Sequence, residues 1–406
     1  MSSIKPQTLK GFRDFLPSEA RKRQYVVDIL KNVFESYGFE PLETPALEYE
    51  EILLGKYGEE GDKLMYRFTD RGDRKVALRY DQTVPLARVV AQYQNELPMP
   101  FKRYQIQPVW RADNTQKGRF REFLQCDIDT VGSSTLFSDA EIITVAAKAY
   151  EKLGFKNFKI LINDRTIFKG LPNYTIAAID KLKKIGKKKV IEELTSKGQS
   201  EKQVASILSS IDGKKPTEKL TGIFSNLKKM GVPSSQYEFS PTLARGLDYY
   251  TGIIIEVTDE SYPYGSLGGG GRYDKLIRMF STKQIPAVGF SFGFDRLMEA
   301  MDELNLFPQD TLSSTTKVLV TVFNNDLWEK SIKISSRLRS NNINTEIYLD
   351  ENAKMEKQLK YADKKGIPYA IIIGTDEASK NMVTLRNMKT RQQEILTQKD
   401  LVSKLV

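Results

Sequence analysis

Arginines and carboxylates are concentrated in the segment FKRYQIQPVWRADNTQKGRFREFLQCDIDTVG, residues 101–132. Alternating residues on both sides of a polar, glycine-containing turn predict a β-hairpin. Near the turn, three arginines lie beside four acidic residues: Arg111, Arg119 and Arg121 with Asp113, Glu122, Asp127 and Asp129. Because arginine presents planar donors that match phosphate oxygens, such a hairpin is suited to binding a polyphosphate. A solvent-facing hairpin with incidental ion pairs is the alternative that this segment leaves open.

Three later segments carry arginine or glycine at places where a ligand could bind. Arg245 lies in ARGLDYYTG, and Arg296 lies where a predicted strand passes into a helix. The glycines 268–271 form either a mobile turn or a stretch whose backbone amides approach a ligand closely. We expect the arginines, with carboxylates and tyrosines between them, to lie on one sheet.

Composition narrows the possible chemistry. The 406 residues include no histidine and a single cysteine, Cys126. An intramolecular disulfide and a cysteine-cluster metal site are therefore excluded, and the commonest general base is absent. Chemistry here must therefore use arginines, carboxylates and tyrosines, and an oxygen-liganded cation such as Mg²⁺ is compatible with these residue types. The sequence lacks an apolar run long enough to span a membrane and an N-terminal signal-peptide core, which predicts a cytoplasmic protein.

The net charge of +10 is unevenly distributed along the chain. Residues 166–240 carry 14 basic and 7 acidic side chains, and residues 317–406 carry 16 and 11. The remainder has 32 basic and 34 acidic side chains. This distribution indicates a near-neutral catalytic body with two basic modules that contact a polyanion, nucleic acid being the obvious candidate. Solvated lysine-rich helices are the alternative.

Patterning predicts the elements that position these residues. Helices are expected at 18–37, 83–94 and 138–153, the last with a capping box that begins at Ser138. Residues 166–237 contain helical segments without a convincing strand, which predicts a helical insertion in a mixed α/β body. After a polar linker, strands and helices alternate from residue 317, as in a small α/β domain with a mostly parallel sheet.

Five motifs carry a resemblance over essentially the whole chain: LRYDQTVPLAR, RADNTQKGRFREFLQCDID, ARGLDYYTG, GGGGRYD and AVGFSFGFDRL. The sequence closely resembles the histidyl-tRNA synthetases, which are class II aminoacyl-tRNA synthetases. The resemblance implies an α+β catalytic domain with the class II antiparallel sheet, a helical insertion and a C-terminal α/β anticodon-binding domain. The implied boundaries are 1–165 and 241–310 for the catalytic domain, 166–240 for the insertion and 311–406 for the last domain.

The resemblance also implies a two-step reaction with ATP, histidine and histidine tRNA, and roles for individual residues. Arg111 and Arg245 would be catalytic, with Arg245 against the carboxylate and α-phosphate. The ATP-binding residues would be Arg111, Asp113, Arg119 and Arg296. The histidine-binding residues would be Asp81, Thr83, Gln125, Asp129, Arg245, Tyr249, Tyr250 and Tyr273. Mg²⁺ would accompany ATP, and a homodimer would form through the first helix and residues 39–49, which include Pro45.

The sequence departs from the family pattern in three ways, and two alternative functions stay open. Bacterial members commonly have glutamate where Asp81, Asp113 and Asp129 stand, and Leu124 replaces a usual histidine or tyrosine. The absence of histidine suggests two hypotheses: a synthesis freed from the enzyme's own product, or deliberate recoding. The main alternative function is a catalytically silent, histidine-sensing regulatory subunit of ATP phosphoribosyltransferase, although that paralogue typically loses the arginines and the anticodon domain. A pure RNA-binding module is the second alternative.

Overall fold

A computed structural model describes residues 4–55, 58–115, 118–244, 249–308 and 314–406, without the side chains of 58–60, 183 and 184. The chain divides into two compact units. The first comprises the residues up to Asp14 together with Arg23–Leu306. The second comprises Phe15–Lys22 together with Phe307–Val406.

The main sheet of the first unit contains eight strands within the described residues, in the order β1-β5-β6-β11-β10-β9-β7-β8. Only the edge pairings β1–β5 and β7–β8 are parallel among them; the pairings between β5, β6, β11, β10, β9 and β7 are antiparallel. The strands of the sheet are β1 Glu40–Pro41, β5 Phe101–Trp110, β6 Glu122–Val131, β7 Phe158–Asp164, β8 Tyr237–Phe239, β9 Ile253–Asp259, β10 Gly268–Arg272 and β11 Ala287–Phe292. A smaller antiparallel sheet, ordered β2-β4-β3, contains β2 Leu47–Tyr49, β3 Arg67–Thr69 and β4 Lys75–Leu78.

Strand β10 excludes the mobile turn, which was one of the two alternatives left open for residues 268–271. These glycines form a buried strand between β9 and β11. A Cβ on Gly268 would stand 2.7 Å from the Phe290 ring and from the Tyr150 hydroxyl, and one on Gly270 would stand 2.7 Å from the Phe290 Cα. Glycine is therefore required because the neighbouring strand and aromatic rings pack directly on the backbone.

Helices pack around this sheet and form the inserted region. In chain order they are α1 Pro17–Ser36, α2 Glu50–Leu53, α3 Gly58–Lys63, α4 Thr83–Gln92, α5 Leu136–Lys152, α6 Asn173–Asp180, α7 Leu182–Ser196, α8 Glu201–Asp212, α9 Glu218–Lys229 and α10 Phe294–Glu303. Helix α7 is kinked at Gly186, whose φ of 79° is not helical. A core that includes Val190, Leu208 and Ile211 joins α7 and α8.

The start of α5 differs from the predicted capping box at Ser138. Thr135 is the N-cap residue, and its side chain accepts a hydrogen bond from the Ser138 backbone N–H. Ser138 and Asp139 lie inside the first turn and are buried against Arg272. The sequence pattern placed the cap three residues too late because these polar side chains serve a tertiary contact instead.

The second unit contains a five-stranded sheet ordered β13-β12-β14-β15-β16 within its described residues. Its strands are β12 Val318–Val320, β13 Thr345–Ile347, β14 Tyr369–Ile372, β15 Met382–Asn387 and β16 Gln393–Thr397. Its helices are α11 Trp328–Ser340, α12 Met355–Lys365, α13 Thr375–Ser379 and α14 Gln398–Leu405. The prediction of a mostly parallel sheet was wrong, because β14–β15 and β15–β16 are antiparallel. In neither unit does a described helix have the length and apolarity needed to cross a membrane.

Candidate active site

A cavity of about 440 Å³ lies in the first unit and gathers most of the residues that the motifs single out. The β5–β6 hairpin contributes one wall, and the glycines of β10 and β11 contribute to the lining. The predicted site residues that line it are Asp81, Thr83, Arg111, Asp113, Arg119, Gln125, Asp129, Tyr249, Tyr250, Tyr273 and Arg296. The hairpin is therefore part of a concave site, and the alternative of an exposed hairpin with incidental ion pairs is wrong.

Arg111 follows the end of β5 and is oriented by contacts on several sides. Its guanidinium carbon lies 4.4 Å from the ring centroid of Tyr80 and 5.1 Å from that of Phe123. Its Nε donates to the Tyr80 carbonyl at 2.9 Å, and a terminal nitrogen donates to Gln125 Oε1 at 3.3 Å. These contacts fix the plane of the guanidinium, which is what recognition of a phosphate or carboxylate requires.

Arg119 and Arg296 line the cavity from the hairpin and from α10. Arg119 Nε donates to Asp113 Oδ2 at 2.9 Å; the Asp113 side chain is 8% exposed and that of Arg119 is 50% exposed. Arg296 donates to the Ser266 carbonyl at 3.2 Å from the first turn of α10. The half-exposed Arg119 side chain can therefore turn toward a ligand, and the buried Asp113 carboxylate then needs another donor.

Asp81 combines a local structural contact with a place in the cavity wall. Its Oδ1 accepts hydrogen bonds from the backbone N–H groups of Thr83 and Val84, both at 3.1 Å, at the start of α4. The side chain is 5% exposed. A carboxylate in this position stabilises the helix start and adds negative charge to the cavity wall.

Gln125 lies between the arginine and a second carboxylate. Its Nε2 donates to Asp127 Oδ2 at 2.7 Å while its Oε1 accepts from Arg111. Burial raises the pKa of Asp127, although Arg103 lowers it. Gln125, Asp127 and Asp129 alternate along β6, so their side chains share one face of the sheet.

Asp129 is buried at the inner end of the cavity. Its Oδ1 accepts a short hydrogen bond from the Tyr273 hydroxyl, and its Oδ2 lies 2.7 Å from a terminal nitrogen of Arg103. Burial raises the pKa of Asp129 to about 6, with Arg103 opposing that rise and Asp127 adding to it. The carboxyl group can therefore change protonation near neutral pH.

Tyrosines form the apolar part of the pocket around Asp129. The ring centroids of Tyr249 and Tyr250 are 4.9 Å apart, and those of Tyr249 and Tyr273 are 6.0 Å apart. Burial raises the pKa of both Tyr249 and Tyr273 well above the usual value, so these hydroxyls stay protonated as donors. An aromatic pocket with fixed polar groups suits a flat, polar ring.

Sequence reasoning missed two contributors to this site, Arg103 and Tyr80. Arg103 is on β5 directly opposite Asp129 and has no exposed surface. Tyr80 packs against Arg111. A lone arginine in an alternating strand usually indicates the solvent face, so the available signal was the register of the hairpin, which pairs position 103 with position 129.

Two predictions fall outside what the geometry tests. Arg245 lies outside the described residues, so its position relative to the cavity is not part of the structure. For Mg²⁺, the described residues contain no group of three histidine, cysteine or acidic side chains placed to hold a metal ion.

The antiparallel sheet, the arginine-bearing hairpin and the separate C-terminal α/β unit define a class II aminoacyl-tRNA synthetase. The family model for histidyl-tRNA synthetase matches residues 11–218 and 189–297, and that for the anticodon-binding domain matches residues 317–406. The chain belongs to the histidyl-tRNA synthetase family, the ATP-dependent ligases that attach histidine to its tRNA.

Relatives and solved structures agree over nearly the full length. Proteins named histidine–tRNA ligase from Cytophaga hutchinsonii and Christiangramia forsetii are 40% and 41% identical; the matches cover 99% and 97% of this chain and 100% and 97% of theirs. The crystal structure of histidyl-tRNA synthetase from a Nostoc species is 30% identical with a TM-score of 0.86, covering 99% of each chain. These matches do not favour the regulatory-subunit alternative.

Proposed function

We propose that the cavity catalyses the first step of histidine attachment. Histidine and ATP react there to give histidyl-adenylate and pyrophosphate, and the histidyl group then passes to the terminal adenosine of histidine tRNA. In the first step, a histidine carboxylate oxygen attacks the α-phosphorus, and the bond from that phosphorus to the bridging oxygen of pyrophosphate breaks. The reaction brings two anions together, so positioned guanidinium groups can supply much of the required stabilisation without a histidine base.

The ATP half of the site is assigned to the hairpin and to α10. Arg111 contacts the α-phosphate, because stacking fixes its plane and the residue lines the cavity. Arg119 and Arg296 contact the outer phosphates, and Asp113 faces the adenine. The half-exposed side chain of Arg119 supports its part of this assignment, since it can release Asp113 when ATP enters.

The amino-acid half is assigned to the acidic and aromatic end. Asp81, Thr83 and Gln125 take the ammonium group, and Asp129 with Tyr250 takes the imidazole. Tyr249 and Tyr273 line the pocket. A site whose buried polar groups need partners rejects apolar amino acids strongly, because such ligands would leave those groups unpaired.

One observation carries the proposal: Arg111, Gln125 and Asp129 lie on one hairpin and line a single cavity. Arg245 is assigned to the carboxylate and the α-phosphate from its motif alone. The test is histidine-dependent exchange of labelled pyrophosphate into ATP. Wild-type protein should catalyse it, Arg245→Ala should lose at least about 100-fold, and Arg74→Ala, an exposed arginine paired with Asp70, should retain it. Absence of exchange by the wild type would overturn the proposal.

The remaining assignments rest on the family. Mg²⁺ is proposed as the counter-ion of the ATP phosphates, and no step is assigned to it. The C-terminal unit is proposed to contact the anticodon, with domain boundaries at 165, 240 and 310. A homodimer through α1 and residues 39–49, including Pro45, and a cytoplasmic location complete the proposal.

A further inference from the structure

Arg103 is a buried cation beneath the amino-acid end of the cavity. It lies on β5 directly opposite Asp129 on β6, and its side chain is completely shielded from solvent. One terminal nitrogen is 2.7 Å from Asp129 Oδ2, and the other donates to Gln105 Oε1 at 3.3 Å. Arg103 does not line the cavity itself, so any effect on a ligand must pass through Asp129.

Apart from Arg103, the charged groups that act on Asp129 are acidic. Asp127 on β6 and Asp81 before α4 are acidic neighbours that disfavour its charge, and the Tyr273 hydroxyl donates to its other oxygen. Gly289 on β11 faces it from the remaining neighbouring strand. Burial and the nearby carboxylates both raise the pKa of Asp129, and the positive charge of Arg103 opposes that rise.

We propose that Arg103 is a positioning residue for amino-acid recognition: it keeps Asp129 ionised and fixes its orientation, so that the pocket accepts the N–H of a neutral imidazole. This inference rests on the proposed function. An ionised carboxylate accepts hydrogen bonds only, whereas a protonated one presents a donor that competes with the ligand's N–H. With Tyr273 on Oδ1 and Arg103 on Oδ2, the carboxylate plane cannot rotate freely, so its remaining lone pairs point in fixed directions.

The pH dependence follows from the charge balance. Burial raises the pKa of Asp129 to about 6 even with Arg103 present. Removing the arginine removes the group that lowers this pKa, so the pKa rises further. Histidine binding that needs the ionised form is then complete only at higher pH, and it is lost as pH falls through the new pKa.

The test compares Arg103→Met and Arg103→Lys with wild type in histidine-dependent pyrophosphate exchange. Truncating one member of a buried charge pair should raise KM for histidine at least about 30-fold at pH 7.5 in Arg103→Met. Arg103→Lys keeps the charge and should lose about 10-fold or less. KM for ATP should change less than about threefold in both, because the arginine acts on the amino-acid half.

The profile of kcat/KM for histidine against pH separates positioning from a general structural role. The acid limb should move to higher pH in Arg103→Met, above the titration of the substrate imidazole that is common to all variants. If Arg103→Met does not fold, the separate KM values for histidine and ATP in Arg103→Lys still decide the matter. An unmoved limb in Arg103→Met, or an equal rise of both KM values in either arginine variant, overturns this inference while leaving the proposed function intact; absent exchange in wild type overturns both.

Discussion

Gly289 lies opposite Asp129 in the register of β11 and β6, where a side chain would displace the carboxylate. A Cβ on Gly289 would stand 2.6 Å from Asp129 Cγ and 2.9 Å from the Ile128 carbonyl oxygen. The proposed imidazole contact is therefore in van der Waals reach of the neighbouring strand's backbone. The position of the Asp129 carboxylate therefore depends on residue 289 having no Cβ.

Gly289→Ala should consequently raise KM for histidine by about 10-fold or more and lower the free energy of unfolding by about 1–3 kcal/mol, since an added methyl overpacks the site. Steady-state exchange kinetics and denaturant unfolding measure the two effects. Gly213→Ala is the control, because its nearest neighbours are 3.5 Å away at the end of α8 and its φ is −79°. A histidine KM that stays at the wild-type value would contradict the proposed place of Asp129.

Arg111→Lys should lower kcat for pyrophosphate exchange by about 100-fold. Lysine keeps the charge but cannot stack its plane between Tyr80 and Phe123 or donate in two directions. The control is Arg74→Lys on the exposed hairpin of β3 and β4, which should be indistinguishable from wild type. Near-normal activity of Arg111→Lys would show that charge alone suffices and that the orienting contacts are dispensable.

Asp81 permits a comparison that separates folding from binding. Asp81→Ala should lose about 1 kcal/mol of stability, because two N–H groups at the start of α4 lose their acceptor. Asp81→Ser supplies an acceptor for the helix but removes the charge, so unfolding should be nearly unchanged. Both variants should raise KM for histidine. If Asp81→Ser binds histidine as wild type does, its carboxylate does not take the ammonium group.

Arg272→Met should be strongly destabilising, by about 3 kcal/mol. The arginine contacts Asp139 at 2.7 Å, and burial already raises the pKa of that carboxyl group. Thermal unfolding would measure the effect, with exposed Arg278→Met as the control. The double variant Arg272→Met with Asp139→Asn should recover part of the loss, because no unpaired buried charge remains; a double variant less stable than the single one would argue against this account.

The sequence predicted the hairpin well because its alternating residues, turn and paired arginines all indicate the same local structure. It left the glycines at 268–271 undecided between a mobile turn and a backbone close to a ligand, since glycine usually interrupts strands; the packing of Phe290 and Tyr150 explains their place in a central strand. It also missed Arg103, whose role depends on a pairing with Asp129 across the hairpin. Local pattern therefore identified which segments carry chemistry, whereas the long-range contacts determined how each side chain is oriented.

The glycine strand β10 has a consequence for changing the specificity of this protein. Its backbone contributes to the cavity lining, and the space that side chains on Gly268 or Gly270 would need is occupied by Phe290 and its neighbours. Even alanine would overlap its neighbours at Gly268 or Gly270. Substitution at these two positions therefore cannot adapt the pocket to another amino acid or an unnatural analogue. Library design should instead vary side chains elsewhere in the lining, such as Tyr249 and Leu124, and leave the glycines unchanged.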